Sequence, residues 1–272
     1  MRIFEQIWKV CDLSKTYWTN AKIAVAQHPE CLGPSDIARC FMPWLASLIS
    51  DNTPLDDEQP WITFPARYFL RRILTRDFRV FEFGAGGSTL FFAKRVKELV
   101  TVEHEAEWLK RTAAKVRFRQ NFKWQSLLEP PTPNSSKACF AIGDPDSYAS
   151  TDVNYVDMSF EKYATSIEQY EPDYFDLVSI DGRARPSCFK HSLSRVKQGG
   201  YILVDNAERE EYGYVERTAK QFGLEVLDFW GPGPYNKYFW RTILIRKTAS
   251  VPPESVSTGV DPKVRFPQRL SI

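Results

Sequence analysis

The chain has 272 residues, 43% of them apolar and 26% charged, with a formal net charge of +2. That balance is ordinary for a globular protein with a packed core. The near-neutral charge gives no electrostatic ground for nucleic acid or an anionic membrane surface as partner. Five scattered cysteines (Cys11, Cys31, Cys40, Cys139 and Cys188) show no metal-ligand spacing. They read as free thiols in a reducing, cytoplasmic compartment. No signal peptide and no run of ~18 apolar residues is evident.

Residues 1–60 read as a helical N-terminal extension. Ile3, Ile7 and Val10 have helical spacing, and Pro34-Ser35-Asp36 opens a second helix through Ile37, Cys40, Trp44 and Leu48. Residues 51–60 are polar and proline-containing, a linker. The extension is either a lid over substrate or a packing element. Pro65 starts a further helix.

Residues 80–83 predict a short buried strand that carries Glu82 and runs into Gly84-Ala85-Gly86-Gly87-Ser88-Thr89. The glycines allow a sharp turn and a close backbone approach to a ligand. Ser88 and Thr89 are candidate caps for a helix through Leu90 and Phe92. A second strand over 98–104 also ends in an acid, Glu103. The helix predicted over 105–118 turns Trp108, Leu109 and Val116 inward. Its Lys110, Arg111, Lys115, Arg117 and Arg119 form a solvated face or a phosphate-binding patch.

A third strand is predicted over 121–128. The Pro-, Ser- and Asp-rich stretch 129–159 reads as a long loop, functional or disordered. A helix over 160–170 precedes a buried fourth strand, 175–180, that ends at Asp181. Pro186 starts a helix with Phe189, Leu193 and Val196 inward, stopped by Gly199-Gly200. The fifth strand, 201–204, ends at Asp205-Asn206. A helix over 212–222 closes at Gly223. Strands over 224–230 and 239–246 follow without a helix between them, so the last enters antiparallel as a hairpin. Residues 248–272 are Ser/Pro-rich and read as a disordered tail. The fold class is α/β: a Rossmann-like, seven-stranded, mostly parallel sheet with helices on both faces over 61–247.

Which ligand sits at the glycine turn? A phosphate loop needs Lys then Ser/Thr after the last glycine, and no such Lys follows Gly87. A dinucleotide fingerprint needs glycine at 84, 86 and 89, but residue 89 is Thr. Glu103, about twenty residues on, suits ribose hydroxyls of either a dinucleotide or an adenosyl cofactor.

The whole array resembles a class I S-adenosylmethionine-dependent methyltransferase. The likeness rests on Glu82 within the first strand, Gly84-Ala85-Gly86 at its end, Glu103, Asp181 and the closing hairpin, and covers roughly residues 78–247. It implies S-adenosylmethionine as cofactor, held by Glu82, Gly84, Ala85, Gly86, Gly87, Ser88, Thr89, Glu103 and His104. In that reading Glu82 bonds the loop N–H groups or, through water, the cofactor ammonium. Glu103 takes both ribose hydroxyls, and His104 lies beside the adenosine.

A narrower resemblance, to divalent-metal O-methyltransferases, places Mg²⁺ on Asp181, Asp205 and Asn206. Those enzymes carry a lysine three residues after the first Asp; here that position is Ala184, between Arg183 and Arg185. The two arginines either bind an anionic acceptor or pair with Glu208, Glu210 or Glu211. His191 is either a base or a helix-surface residue. Tyr235, Asn236, Lys237 and Tyr238 either border the acceptor pocket or form a plain hairpin.

Asp181-Gly182-Arg183-Ala184 is not the Asn/Asp-Pro-Pro-Tyr/Phe motif of amino-methylating enzymes, which favours oxygen as acceptor. The expectation is therefore a methyltransferase acting at oxygen on a small molecule, anionic in one reading, with Asp181, Arg183, Arg185 and His191 as catalytic candidates. Two alternatives stay open: an NAD(P)-dependent oxidoreductase, and a non-catalytic domain that keeps the fold.

Overall fold

The computed structural model describes residues 2–117, 120–134 and 142–248. The expected tail therefore lies outside the described residues from 249 on, as do Phe118, Arg119 and Cys139. Seven strands build the main sheet: β1 (Arg79–Phe83), β2 (Glu98–Glu103), β3 (Lys123–Leu128), β4 (Phe175–Ile180), β5 (Val196–Asp205), β6 (Glu225–Gly231) and β7 (Trp240–Arg246). Their order is β3-β2-β1-β4-β5-β7-β6. The first five pair in parallel, and β7 runs antiparallel to both β5 and β6. This is the expected architecture.

The helices are α1 (Arg2–Gln27), α2 (Pro34–Ile49), α3 (Pro54–Asp57), α4 (Phe64–Ile73), α5 (Gly87–Ala93), α6 (Ala106–Ala113), α7 (Glu161–Thr165), α8 (Arg185–Ser192) and α9 (Gly213–Gln221). Side chains alternate across a strand, so β1 feeds two cores. Phe81 and Phe83 join Tyr163, Phe189 and Val215 on one face of the sheet. Val80 joins Leu70, Leu90 and Phe91 on the other. No helix among the described residues is long and apolar enough to cross a membrane.

Register determines where the strand ends fall. Phe83 pairs with Val102 and with Ile180, and Ile180 pairs with Val204. The next residues are Gly84, Glu103, Asp181 and Asp205, so all four emerge along one edge. Parallel open sheets place their ligands there.

Three local expectations change. The helix expected over 105–118 ends at Ala113. The one expected over 160–170 gives way to a 3₁₀ turn at Ser166–Gln169. Gly199-Gly200 do not stop a helix; they lie inside β5, which begins at Val196. Lys247 exchanges backbone bonds with both glycines, and the β4–β5 register shifts between Phe175 and Leu177 to absorb the irregularity. A long-range partner overrides the local signal.

The linker also has structure. Thr53 caps the short α3, accepting from the Asp56 N–H at 3.3 Å. α1 and α2 pack through Tyr17, Trp44 and Leu45 in a third cluster that includes Phe64. They also grip the β6–β7 connection. Trp44 Nε1 donates to the Asn236 carbonyl at 2.8 Å, Asn20 Nδ2 to the Lys237 carbonyl at 2.8 Å, and the Tyr235 N–H to Ser47 Oγ at 3.1 Å.

Trp44 is fully buried and carries one of these ties. Trp44→Ala is expected to cost about 3–5 kcal/mol, the range for large aromatic truncations in cores. Urea denaturation followed by far-UV circular dichroism measures it. A loss below about 1 kcal/mol would mean the extension is not coupled to the sheet in this way.

Candidate active site

The glycine turn is held from below by a buried acid. Glu82 and Thr101 are register partners on β1 and β2, so their side chains meet on the α5 face. Glu82 Oε2 accepts from Thr101 Oγ1 at 3.0 Å and from Thr89 Oγ1 at 2.7 Å. Thr89 Oγ1 in turn accepts from the Gly86 N–H at 2.9 Å. Thr89 therefore has a structural task at the position where a dinucleotide site needs glycine. It ties the turn to Glu82 rather than simply capping α5.

Glu82 is only 1% exposed, and its Oε1 has no partner in hydrogen-bonding geometry. Burial pushes its carboxyl up to about 7, against the pull of the Ser88, Thr89 and Thr101 hydroxyls. Glu82 acts on the turn through Thr89, not by a direct bond to a loop N–H.

Gly84 has φ +98°, a left-handed conformation that favours glycine, and a Cβ there would stand 3.0 Å from the Gly182 Cα. At Gly87 a Cβ would run into the Pro54 and Gln59 carbonyls. The α3 segment thus lies directly on the start of α5.

Glu103 closes the turn from the side. Its Oε2 accepts from the Ala85 N–H at 2.8 Å, and its Oε1 from the N–H groups of His104 (2.7 Å) and Glu105 (2.9 Å). His104 Nδ1 lies 2.5 Å from the same Oε1, outside hydrogen-bonding geometry. Burial raises the Glu103 carboxyl, but His104 and these N–H groups outweigh it and the net shift is downward. Each carboxylate oxygen has two lone pairs, so Oε1 is saturated and Oε2 keeps one acceptor direction. In this arrangement both Glu103 oxygens are already engaged by N–H groups of the turn and of the start of α6.

Trp108 completes the wall, its Nε1 donating to the Ala85 carbonyl at 2.6 Å. His104 Nε2 meets the Tyr155 hydroxyl at 3.0 Å. Arg183 pairs with Asp152 at 2.9 Å. The 129–159 stretch, where it is described, therefore supplies one flank of this site.

These groups surround a cavity of about 500 Å³ lined by Gly84 to Ser88, Glu103, His104, Trp108 and, from the linker, Pro54 and Trp61. Glu82 and Thr89 lie beneath it and do not line it. A second cavity of about 300 Å³ adjoins, lined by Arg185, Asp205, Asn206, Arg209, Asn236 and Tyr238 among others. Asp181 and Trp61 line both. A third hollow of about 580 Å³ lies against His28 and Trp230 and contains none of the expected site residues.

The expected divalent-metal site is not formed, because Arg185 occupies its place. All five guanidinium N–H groups have acceptors. Nε donates to the Gly182 carbonyl (3.1 Å), and Nη2 to the Asp181 carbonyl (3.2 Å) and Oδ1 (3.1 Å). Nη1 donates to Asn206 Oδ1 (3.1 Å) and to the Asp205 carbonyl.

The Asp205 side chain is turned away: its Oδ1 accepts from Trp240 Nε1 (3.0 Å) and Thr242 Oγ1 (2.5 Å). Among the described residues no cluster of His, Cys, Asp or Glu could hold a metal ion. Burial raises the Asp181 and Asp205 carboxyls, each further raised by a neighbouring acid and opposed by Arg185.

Two more expectations are corrected. Arg185 and Arg183 pair with Asp181 and Asp152, not with Glu208, Glu210 or Glu211. His191 lies outside both cavities, with Nδ1 2.7 Å from Glu168 and its ring stacked on Tyr148. Trp61, Asp152 and Arg209 were not singled out by the sequence reading, and Trp108 was read only as an inward-facing helix residue. An aromatic residue closing a polar linker was the available signal for Trp61.

No family model and no curated protein matches the sequence. Solved structures do. A methyltransferase-like protein from Silicibacter pomeroyi is 17% identical, covering 71% of this chain and 91% of its own, with a TM-score of 0.45. A putative methyltransferase from Streptococcus mutans, in complex with SAH, is 14% identical over 67% and 96%, with a TM-score of 0.43. Aeropyrum pernix fibrillarin, with natively bound S-adenosyl-L-methionine, is 15% identical over 74% and 73%, with a TM-score of 0.39.

Stability should fall with rising pH. Glu82 has its folded pKa raised from 4.5 to about 7. The stability it contributes is therefore full below its unfolded pKa and lost as pH rises through 7. Asp181 and Asp205 act with the same sign. Glu82→Gln should flatten, without abolishing, the decline of Tm between pH 5 and pH 8; an unchanged slope would refute the assignment. Arg185→Met should cost about 3–5 kcal/mol in urea denaturation, because it removes the donors to a carboxylate, three main-chain carbonyls and the Asn206 amide oxygen, with Arg185→Lys between wild type and Met.

The strand order and the antiparallel last strand give the chain a Rossmann-like α/β fold with a seven-stranded, mostly parallel sheet.

Proposed function

We propose that the chain is an S-adenosylmethionine-dependent methyltransferase that acts at oxygen on a small molecule, with residues 61–247 as its methyl-transfer unit and 1–60 as an extension. The observation that carries this reading is the pair of joined cavities at the carboxyl edge of the sheet, with Asp181 shared between them. The larger lies within the ~300–1,000 Å³ usual for small-molecule sites. Its turn brings the start of α5 at Gly87 and Ser88 to the cavity wall, and Glu103 Oε2 offers one acceptor to a ribose hydroxyl. The Streptococcus mutans and Aeropyrum pernix structures hold SAH and S-adenosyl-L-methionine.

Bound there, S-adenosylmethionine supplies an electrophilic methyl group on a sulfonium and becomes a thioether when the acceptor oxygen takes it. The protein aligns acceptor and donor and removes the acceptor's proton. Asp181 is placed for that task. Arg185 holds its Oδ1, while the other oxygen has no protein hydrogen-bond partner among the described residues. Its raised pKa brings it closer to the range of a working base.

Arg183 and Arg185 are engaged with acids, so an anionic acceptor would fall to Arg209. It lines the smaller cavity and makes no salt bridge among the described residues. The residues do not fit Mg²⁺, and no step here uses it.

Isothermal titration tests the reading. S-adenosylmethionine should bind the wild type, and Glu103→Ala should weaken it by roughly tenfold or more, as expected for losing bonds to a charged acceptor. No heat at millimolar cofactor would overturn the proposal, and binding of NADH in its place would favour the oxidoreductase.

A further inference from the structure

Trp61 and Asp181 are the two residues common to both cavities. Both residues therefore lie where the two cavities adjoin. We infer that Trp61 is a sulfonium-recognition residue: its indole faces the cationic sulfur of the bound methyl donor opposite the Asp181 carboxylate. The inference rests on the proposed methyl-donor site and adds a residue from the N-terminal linker to it.

The placement of Trp61 is built, not incidental. It is 43% exposed and borders both cavities. The linker before it is tied down at three points. Asp56 pairs with Lys115 of the segment after α6 at 2.7 Å, Glu58 pairs with Lys94 at the end of α5, and Asp57 accepts from the Tyr235 hydroxyl at 2.6 Å. Each exposed pair alone contributes little, but the three anchor the strap to both walls of the larger cavity and to the hairpin loop. The Trp61 ring then meets Tyr235 edge-on, with centroids 5.6 Å apart and planes 79° apart.

An aromatic face attracts a cation through its quadrupole, and Trp does so best. The neutral thioether product lacks that charge. Trp61 should therefore favour the charged donor over the spent one.

The test compares S-adenosylmethionine with S-adenosylhomocysteine by isothermal titration on wild type, Trp61→Ala and Trp61→Phe. Trp61→Ala should weaken S-adenosylmethionine by roughly three- to thirtyfold and S-adenosylhomocysteine by less than about twofold, with Trp61→Phe between. Equal losses for both ligands would make Trp61 a wall of the cavity and overturn the inference. So would no loss for either. If wild type binds neither ligand, the methyl-donor reading itself fails, and that outcome is separate because no variant is needed to see it. Matching far-UV spectra of the three proteins keep misfolding out of the comparison.

Discussion

The Arg185 guanidinium joins the ends of β4 and β5, and the carboxyl edge of the sheet depends on it. Its five N–H groups reach acceptors on Asp181, Gly182, Asp205 and Asn206, while its face lies 5.4 Å from the Tyr212 ring centre. A fixed planar fork with five donors can span two loops in a way that a lysine cannot. The same clamp holds two residues in left-handed backbone conformations, Ala184 at φ 44° and Asn206 at φ 52°. Such residues cost on the order of 1–3 kcal/mol each, and charge-assisted bonds are among the few local terms large enough to offset them. A cation is thus present where the metal-dependent pattern would place one, but it is covalently part of the chain and already coordinated in full.

The donor side uses a different device. There the acids meet no arginine or lysine; they are spread under and beside the glycine turn, and Glu103 has His104 and three N–H groups around it. Glu103 binds three N–H groups directly, and Glu82 binds one through Thr89. The contrast explains their opposite ionisation. Glu103 gains enough bonds to its charged form to lie below the usual carboxylate range, while Glu82 has too few and is raised. Glu82 helps to raise the Asp181 carboxyl across the strand ends, so the two sides share an electrostatic boundary beneath the junction of the cavities.

The donor side was legible because it is local. Strand, turn, helix, strand and Glu103 follow one another within about one βαβ unit, and each carries its own composition signal. The acceptor side was not, because its parts come from distant segments. Nothing near Asp181 in sequence indicates that Arg185 takes the space that Asp205 and Asn206 seemed to offer a metal. The spacing of three oxygen ligands looks the same whether a metal or a guanidinium sits among them. Gly199-Gly200 mislead for a related reason: two glycines after a helical pattern read as a stop, but the backbone of Lys247 pairs them into β5. His191 matched the residue type of a base, yet its contacts to Glu168 and Tyr148 lie away from the strand ends.

The N-terminal extension joins these two levels. α1 and α2 touch neither cavity; they hold the loop at 235–238 through Trp44, Asn20 and Ser47, and that loop supplies Asn236 and Tyr238 to the smaller cavity. The linker after α2 delivers Pro54 and Trp61 to the larger one. Lid and packing element were alternatives for this region, and the structure divides them by segment: the helices pack, and the strap between them and α4 covers. The shape of the smaller cavity thus depends on three separate regions of the chain: the β4 and β5 ends, the β6–β7 loop and the extension that fixes it. The loop and the extension can therefore change together and reshape the smaller cavity while the glycine turn, Glu103 and the Arg185 clamp stay as they are.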